Sequence, residues 1–349
     1  MTDLYTLNVS DLANLLKKNN ISKAHAKPIL QNLWHNQLHP FNGPGLPRSL
    51  QKLPWSATIS VTLTQPQQSR FDGSVKFLTK LNDDLHVETV LMPERNRVTL
   101  CISSQVGCQQ ACSFCHTGRM GLVRQLTTAE ITGQVAAANQ WITQNPTWLD
   151  KFPYKKHDRV TNVVFMGMGE PLDNVPAVAQ AVSVLLDLNA AGIAQRKLTV
   201  STAGHLDGLK EFVAIHPRVP VALSLHAVKH RARLLPIEKR FPVKNVLAFL
   251  SQKAHEQKNF FLVQYTLIHG VNDSVEEAQN LAELLRKLPV KINLIPFNEF
   301  SASSFSSPQP ENIENFRAVL KQADIRTMVR YSKAQDVDGA CGQLAVRQA

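Results

Sequence analysis

The sequence predicts an α/β fold: a parallel sheet built from six βα units, preceded by a small helical domain and a β-rich connecting segment. From residue 97 onward, strand-like apolar runs alternate six times with segments of helical period, which is typical of a parallel sheet covered by helices. Six units are fewer than the eight that close a TIM barrel, so we expect either an open sheet or a partial barrel. The length of 349 residues allows one large domain and a smaller one.

Residues 1–52 predict the small helical domain. Asn8 or Ser10 can cap a helix over residues 11–18, and a second helix is expected over residues 24–37. The Pro/Gly-rich loop FNGPGLPRSL follows. Lysines and arginines make this region basic, so it suits RNA binding as well as it suits a solvated helical cap on the main domain.

Residues 53–96 predict the β-rich extension through the runs SVKFLTKL and HVETVLMP. The predicted core occupies residues 97–349. Its strands are expected at residues 97–104, 160–166, 196–201, 219–226, 259–268 and 290–297. Its helices are expected at about residues 127–142, 174–190, 205–214, 242–256, 274–288 and 310–323. Ligands of parallel α/β folds gather at the carboxyl ends of the strands, so polar residues there are candidate site residues.

Composition limits the classes of function. The apolar fraction of 44% and the charged fraction of 19% are those of an ordinary globular protein. The formal charge of +11 fits an anionic partner such as nucleic acid, and it fits a merely soluble surface equally well. The N-terminus lacks an apolar signal-peptide core and no segment reads as a membrane span, so we expect a cytoplasmic protein without a membrane partner. Thiols stay reduced there, so the five cysteines favour metal binding or catalysis over disulfides.

The most informative motif is the CxxxCxxC run of Cys108, Cys112 and Cys115, on the loop after the first core strand. A structural zinc site with His116 is one interpretation, but adjacent Cys115 and His116 cannot readily reach one tetrahedral ion, and no second ligand pair exists. The CxxCH pattern of covalent haem is a second interpretation, but that chemistry belongs to exported proteins. The third is a [4Fe–4S] cluster held by three thiolates, which leaves one iron open to a substrate.

Together with the six βα units, this run resembles the radical S-adenosylmethionine (SAM) superfamily, and Phe114 before the last cysteine also matches. The resemblance implies a [4Fe–4S] cluster whose open iron binds SAM and whose electron cleaves it to a 5′-deoxyadenosyl radical. The segment MGMGEP resembles the superfamily's GGEP element, so Gly169 and Glu170 are expected to hold the methionine ammonium of SAM. Five further SAM-contact candidates lie at or just after the ends of predicted strands: Ser201, Ser224, Leu225, His226 and Asn298.

The two remaining cysteines extend the resemblance. The segments CISSQVGC, which begins at Cys101, and DGACGQL, which contains Cys341, resemble the RlmN/Cfr family of dual-thiol rRNA adenine methyltransferases. The likeness runs from about residue 85 to the C-terminus and includes VETV, SLHA, HGVND and LIPFN. It implies methylation of an adenine carbon, C2 or C8, in 23S rRNA, with tRNA as a further candidate substrate.

The resemblance also implies a role for each thiol. One SAM methylates Cys341, and a second SAM at the cluster yields the radical that takes a hydrogen from the S-methyl group, so each turnover uses two. The carbon radical adds to adenine, after which Cys101 helps to deprotonate the adduct and forms a transient disulfide with Cys341. Glu88 in VETV resembles the family's acid–base glutamate. An electron donor such as flavodoxin or ferredoxin is the implied protein partner, and we expect a monomer.

This chain departs from the family pattern at two positions of the loop that carries the last cysteine. Gly339 stands where alanine is usual, and Ala334 stands where glycine is usual. Pro171 resembles the C2-modifying branch, whereas residues 117–118 and 121–122 resemble the C8-modifying branch, so the methylated carbon stays open. Two alternatives also stay open: a radical SAM enzyme acting on a different substrate, and a zinc- or RNA-binding module without catalysis.

Overall fold

A computed structural model describes residues 2–35, 40–41 and 45–346. The predicted end of the second helix at Gln37 and residues 42–44 of the Pro/Gly-rich loop lie outside these ranges. None of the helices within these ranges is long and apolar enough to cross a membrane.

The strands form one large sheet and two small pairs. In chain order they are β1 (Thr2–Asp3), β2 (Trp55–Ser56), β3 (Val61–Gln68), β4 (Val75–Leu81), β5 (His86–Glu94), β6 (Arg97–Cys101), β7 (Gln105–Cys108), β8 (Gly121–Gln125), β9 (Asn162–Phe165), β10 (Leu198–Thr202), β11 (Val221–Ser224), β12 (Phe261–Leu267), β13 (Val290–Pro296) and β14 (Arg326–Val329). β1 pairs with β2 and β7 pairs with β8. The other ten form a single sheet in the order β14-β13-β12-β11-β10-β9-β6-β5-β4-β3.

The part of this sheet from β6 to β14 is parallel, and β5, β4 and β3 continue it in antiparallel fashion. The parallel strands follow one another in chain order, whereas a doubly wound sheet reverses its order at a switch point. The predicted α/β class with a partial barrel is therefore confirmed. The β-rich extension does not stand apart, because its strands β3, β4 and β5 belong to the same sheet as the core.

The helices cover the parallel strands. In chain order they are α1 (Val9–Lys18), α2 (Ala26–Trp34), α3 (His116–Arg119), α4 (Thr128–Gln144), α5 (Val175–Leu186), α6 (Leu206–Ile215), α7 (Arg231–Leu234), α8 (Val243–Glu256), α9 (Val275–Leu285) and α10 (Pro310–Gln322). Six of them, α4, α5, α6, α8, α9 and α10, supply the helices of the six predicted βα units. Capping boxes start two helices, at Asn8 for α1 and at Thr127 for α4.

The N-terminal helices pack on the core instead of standing free. Leu12 of α1 and Ile29 of α2 are fully buried in the same apolar cluster as the barrel residues. The Thr132 hydroxyl of α4 donates to the Tyr5 carbonyl over 2.9 Å, which ties the first residues to the barrel. This segment is therefore continuous with the core, and packing of its apolar face stabilises its short helices.

Two details of the core differ from the prediction. The first core strand ends at Cys101 and not at residue 104, because residues 105–108 leave the sheet to pair with β8. The Ser103 hydroxyl donates to the Glu88 carbonyl and accepts from the Met168 N–H, so side-chain bonds replace the ladder there. The prediction also missed the seventh parallel strand, β14, because it has only four residues and lies at the sheet edge, with its side chains only partly buried.

Candidate active site

A hairpin presents the three clustered cysteines. Cys108 ends β7, and Cys112 and Cys115 lie in the loop that leads to β8. Gly107 adopts a φ of +76°, and a Cβ at this position would lie 1.8 Å from the Gly121 carbonyl oxygen. Only glycine fits so close a backbone crossing, which fixes the geometry of the hairpin that carries the thiols.

The three thiols line one cavity of about 150 Å³. Burial raises the pKa of each, and the neighbouring Cys115 and Cys108 raise the pKa of Cys112 further. No group of three or more His, Cys, Asp or Glu in the described ranges is arranged to hold a single metal ion. A cubane binds each thiolate on a different iron, so it requires no such close convergence. The donor set therefore fits a cluster that holds three thiolates.

His116 does not point toward these thiols. Its ring stacks on Phe300 with the centroids 4.8 Å apart, and it lines a neighbouring cavity that also contains Glu88. The zinc site that combined His116 with the three cysteines is therefore incompatible with this arrangement.

The segment after β9 reaches the same cavity. Gly169 has a φ of +102°, and a Cβ there would lie 2.6 Å from the Gln105 side chain, so the position requires glycine. The Glu170 carboxylate accepts the Ala203 N–H over 2.7 Å and the Leu172 N–H over 3.1 Å. Burial raises the pKa of Glu170 to about 7, although these amide bonds favour the charged form. An ammonium group beside it would favour the carboxylate again.

Polar side chains from the ends of β10 and β11 complete this cavity. Ser201 and Ser224 lie with their hydroxyl oxygens 3.3 Å apart, and both line it. The His226 Nδ1 accepts the Thr266 N–H over 2.9 Å, so this ring nitrogen carries no proton and Nε2 carries it. Burial lowers the pKa of His226 to about 3, and its ring packs edge-on against Phe114. His226 is therefore a neutral donor.

Two of the expected SAM contacts do not line the cavity. Leu225 is fully buried, its N–H donates to the Gln264 carbonyl, and its carbonyl accepts from Arg231. The Asn298 amide nitrogen donates to the Cys341 carbonyl over 3.0 Å and to the Ser332 hydroxyl over 2.9 Å. Asn298 thus fastens the Cys341 loop, and its contact with SAM stays a prediction.

Cys341 lies on the wall between two cavities. It lines the cavity of the clustered cysteines, and it also lines a second cavity of about 400 Å³ that contains Cys101. Cys341 is solvent-accessible, whereas Cys101 is buried. Although part of Cys341 contacts solvent, the protein atoms packed around its sulfur desolvate it, as they do Cys101, and this raises the pKa of both thiols; the Arg330 guanidinium lowers both. Five residues are common to the two walls: Met166, Gln264, Ile295, Cys341 and Leu344.

Backbone hydrogen bonds fasten the Cys341 loop to the cluster loop. The His116 N–H donates to the Gly342 carbonyl over 2.8 Å, and the Thr117 hydroxyl donates to the Leu344 carbonyl over 2.6 Å. Two segments more than 200 positions apart in the chain are thus held side by side. Cys341 and the three clustered cysteines therefore line the same cavity. From the sequence, only the family resemblance linked them.

Glu88 lies outside both of these cavities. Its carboxylate pairs with Lys76 over 3.0 Å and accepts the Ala345 N–H over 2.8 Å. Burial raises its pKa, and Lys76 lowers it. These contacts fasten the C-terminal segment to β5, and the acid–base role implied by VETV stays a prediction.

Sequence reasoning missed three residues that build the site. Arg231 is buried and donates to the carbonyls of Ala203 and Ser224, so it joins the ends of β10 and β11 beside Cys112. Asn272 donates to the His226 carbonyl over 2.6 Å, which gives a structural purpose to the HGVND segment. Arg330 lies after β14, and no motif pointed to it.

The comparisons with known proteins agree with this geometry. Residues 102–285 match the model of the Radical SAM superfamily. A radical SAM methyltransferase from Sphaerobacter thermophilus has a similar structure, with a TM-score of 0.86, 34% identity and 99% of each chain covered. The "Dual-specificity RNA methyltransferase RlmN" of Vesicomyosocius okutanii subsp. Calyptogena okutanii is 39% identical over 91% of this chain and 88% of its own length. The protein of the same name from Desulfotalea psychrophila is 42% identical over 78% of this chain and 75% of its own length.

Fold, cysteine loop and superfamily match together define a radical SAM enzyme. Within that class, the similarity to relatives over most of their length is decisive. The chain belongs to the RlmN family of SAM-dependent RNA methyltransferases.

Proposed function

We propose that this protein methylates an adenine carbon, C2 or C8, of 23S rRNA, and that tRNA is a further substrate. The observation that carries the proposal is the position of Cys341 on a wall shared by two cavities. One cavity contains the three clustered thiols and the other contains Cys101. A group carried on the Cys341 sulfur can therefore face a cofactor on one side and a base on the other.

The cofactor side is assigned first. Cys108, Cys112 and Cys115 would hold the [4Fe–4S] cluster, and Glu170 would hold the SAM ammonium, with Ser201, Ser224 and His226 as further polar contacts. When bound, the cluster supplies the electron that cleaves SAM. Gly169 lets the backbone approach SAM closely.

Cys341 and Cys101 have different roles in the transfer of the methyl carbon. The Cys341 thiolate accepts a methyl group from a first SAM, which leaves as S-adenosylhomocysteine. The radical formed from a second SAM would take one hydrogen atom from this S-methyl group, and the resulting carbon radical would add to the adenine carbon. Cys101 helps to remove the ring proton from the adduct. One electron would return from the adduct to the cluster, and the bond between the Cys341 sulfur and the carbon breaks as the two sulfurs form a disulfide. The released exocyclic carbon takes up a proton to become the methyl group, and two electrons must reduce the disulfide before the next turnover.

The partners follow from the same chemistry. The charge of +11 favours contact with the phosphates of a structured RNA. The target adenine must leave its stack to reach a sulfur between two internal cavities. A low-potential protein such as flavodoxin or ferredoxin would reduce the cluster. We further propose a monomer located in the cytoplasm, where its thiols stay reduced.

A test uses anaerobic protein with reconstituted cluster, SAM, a reductant and unmodified RNA transcript. We expect Cys341→Ala and Cys341→Ser to abolish methylated adenosine while 5′-deoxyadenosine still forms. Cys101→Ala should trap a covalent protein–RNA adduct, because the disulfide that releases the product cannot form. If Cys341→Ala methylates RNA at the wild-type rate, the proposed role of Cys341 is wrong. Turnover of a small molecule without RNA would instead favour a radical SAM enzyme with a different substrate.

A further inference from the structure

The end of β14 presents four side chains at the mouth of the Cys101 cavity. Met328, Arg330, Tyr331 and Lys333 all line this cavity, and we call them the β14 rim. Met328 is 67% exposed and Tyr331 is 65% exposed. Single exposed apolar side chains are ordinary, but two of them beside cations at one cavity mouth indicate a binding surface.

The charges of the rim are unevenly compensated. Lys333 donates to the Pro93 carbonyl and lies 4.9 Å from the centre of the Tyr154 ring, so the fold uses its ammonium. Arg97, which also lines this cavity, is paired with Glu94. Among the described residues, none forms an ion pair with Arg330. Arg330 is thus an exposed, uncompensated guanidinium that lines the same cavity as Cys101 and Cys341.

A nucleotide matches this combination of side chains. The fork of an arginine guanidinium binds phosphate through two parallel hydrogen bonds. An exposed tyrosine offers a flat surface on which any base can stack. A purely apolar ligand would leave Arg330 without a partner, and a small anion would leave Tyr331 and Met328 unused.

We propose that the β14 rim binds the RNA nucleotides next to the target adenosine, with Tyr331 stacked on a neighbouring base and Arg330 on a backbone phosphate. This inference rests on the proposed function, since it takes RNA as the partner. The rim then holds the strand at the cavity mouth while the target base passes inward toward the two thiols. Tyr331 and Arg330 are positioning residues in this scheme, because neither touches the reacting carbon.

The test measures the affinity of the holoenzyme for an unmodified 23S rRNA transcript by filter binding at several salt concentrations. Tyr331→Ala should weaken binding by about 5- to 150-fold, which is the range for loss of one stacked base, and Tyr331→Trp should retain it. A plot of log affinity against log salt concentration has a negative slope. Arg330→Gln should make this slope less steep by about one, and Arg330→Lys should leave it unchanged. Phe260→Ala and Arg286→Gln serve as controls at the other end of the sheet, near the starts of β12 and β13.

A second measurement reports contact directly. Irradiation of the complex at short ultraviolet wavelength should link RNA to a peptide that contains Tyr331, and not to the peptide that contains Phe260. If Tyr331→Ala and Phe260→Ala bind the transcript equally well, the rim does not hold RNA. The proposed function would still stand in that case, provided that the wild type forms methylated adenosine. If the wild type binds through Tyr331 but forms no methylated adenosine, the proposed function fails and the assignment of the rim stands.

Discussion

Ala334 and Gly339 allow a quantitative test of how the Cys341 loop is packed. Ala334 has a left-handed φ of 56°, and the Gly339 N–H donates to its carbonyl over 2.8 Å. A Cβ added to Gly339 would lie 2.8 Å from the Ala334 Cβ, well inside the favourable carbon–carbon separation of about 3.5–4.0 Å. The contact has room for one methyl group, which this chain places on residue 334 and the family usually places on residue 339.

The energies follow from this contact. Gly339→Ala adds a second methyl group and should cost about 1–3 kcal/mol, the usual range for overpacking. Ala334→Gly removes a buried methyl group worth about 0.8 kcal/mol. It also relieves a left-handed conformation that costs an L-residue about 1 kcal/mol, so its net effect should be small. The double variant lacks the 2.8 Å contact with the Ala334 Cβ, so the two substitutions should be coupled by about 1–3 kcal/mol in favour of the pair.

Denaturant unfolding of the wild type, both single variants and the double variant gives this coupling energy. Gly133→Ala, on α4 and in ordinary contact distance of its neighbours, supplies the matched control. Combined with Ala334→Gly it should be additive to within about 0.5 kcal/mol, because the sites share no contact. A cost of Gly339→Ala that is the same with and without Ala334→Gly would refute the steric explanation.

Two further predictions concern the cofactor side and the Cys341 loop. Glu170 can hold an ammonium group only in its ionised form, and its pKa is about 7. The ionised fraction is about tenfold smaller at pH 6 than at pH 8, so SAM should bind about tenfold more weakly at pH 6 in equilibrium dialysis. Glu170→Gln should bind weakly with little change over this range, and a wild-type affinity that does not change with pH would contradict the assignment. Asn298→Ala leaves the Cys341 carbonyl without its amide partner and should cost about 1–3 kcal/mol in unfolding experiments. It should slow methyl transfer while SAM affinity stays the same, and an equal loss of both would show that Asn298 touches the cofactor after all.

The spacing of Cys108, Cys112 and Cys115 could be interpreted from the sequence because the hairpin that carries them is local. The same holds for Gly169 and Glu170, whose positions follow from the end of one strand. The six helices of the core could be placed because their apolar periodicity and caps are local signals too. In each of these cases the information lies within about twenty consecutive residues.

The contacts of Asn298 and Glu88 and the position of Arg330 show what the sequence could not predict. Asn298 follows a strand end, as a cofactor contact would, but its amide is used by a loop more than 40 residues further along the chain. Glu88 binds the backbone of Ala345, a contact across 257 positions that no local pattern reveals. Arg330 follows a four-residue strand at the sheet edge, which carries too few apolar residues to be recognised. Their roles depend on which segments the folded chain brings together.

The hydrogen bonds around Cys341 restrict how its sulfur can serve two cavities. Its own carbonyl accepts from Asn298, and the carbonyl of the next residue, Gly342, accepts from the His116 N–H. With the backbone held at both positions, the side-chain torsion of Cys341 is the main freedom that remains. Rotation about one bond moves a sulfur by a few ångströms, and Cys341 already lines both cavities. The fold therefore lets the Cys341 side chain line both cavities while these two backbone hydrogen bonds stay formed.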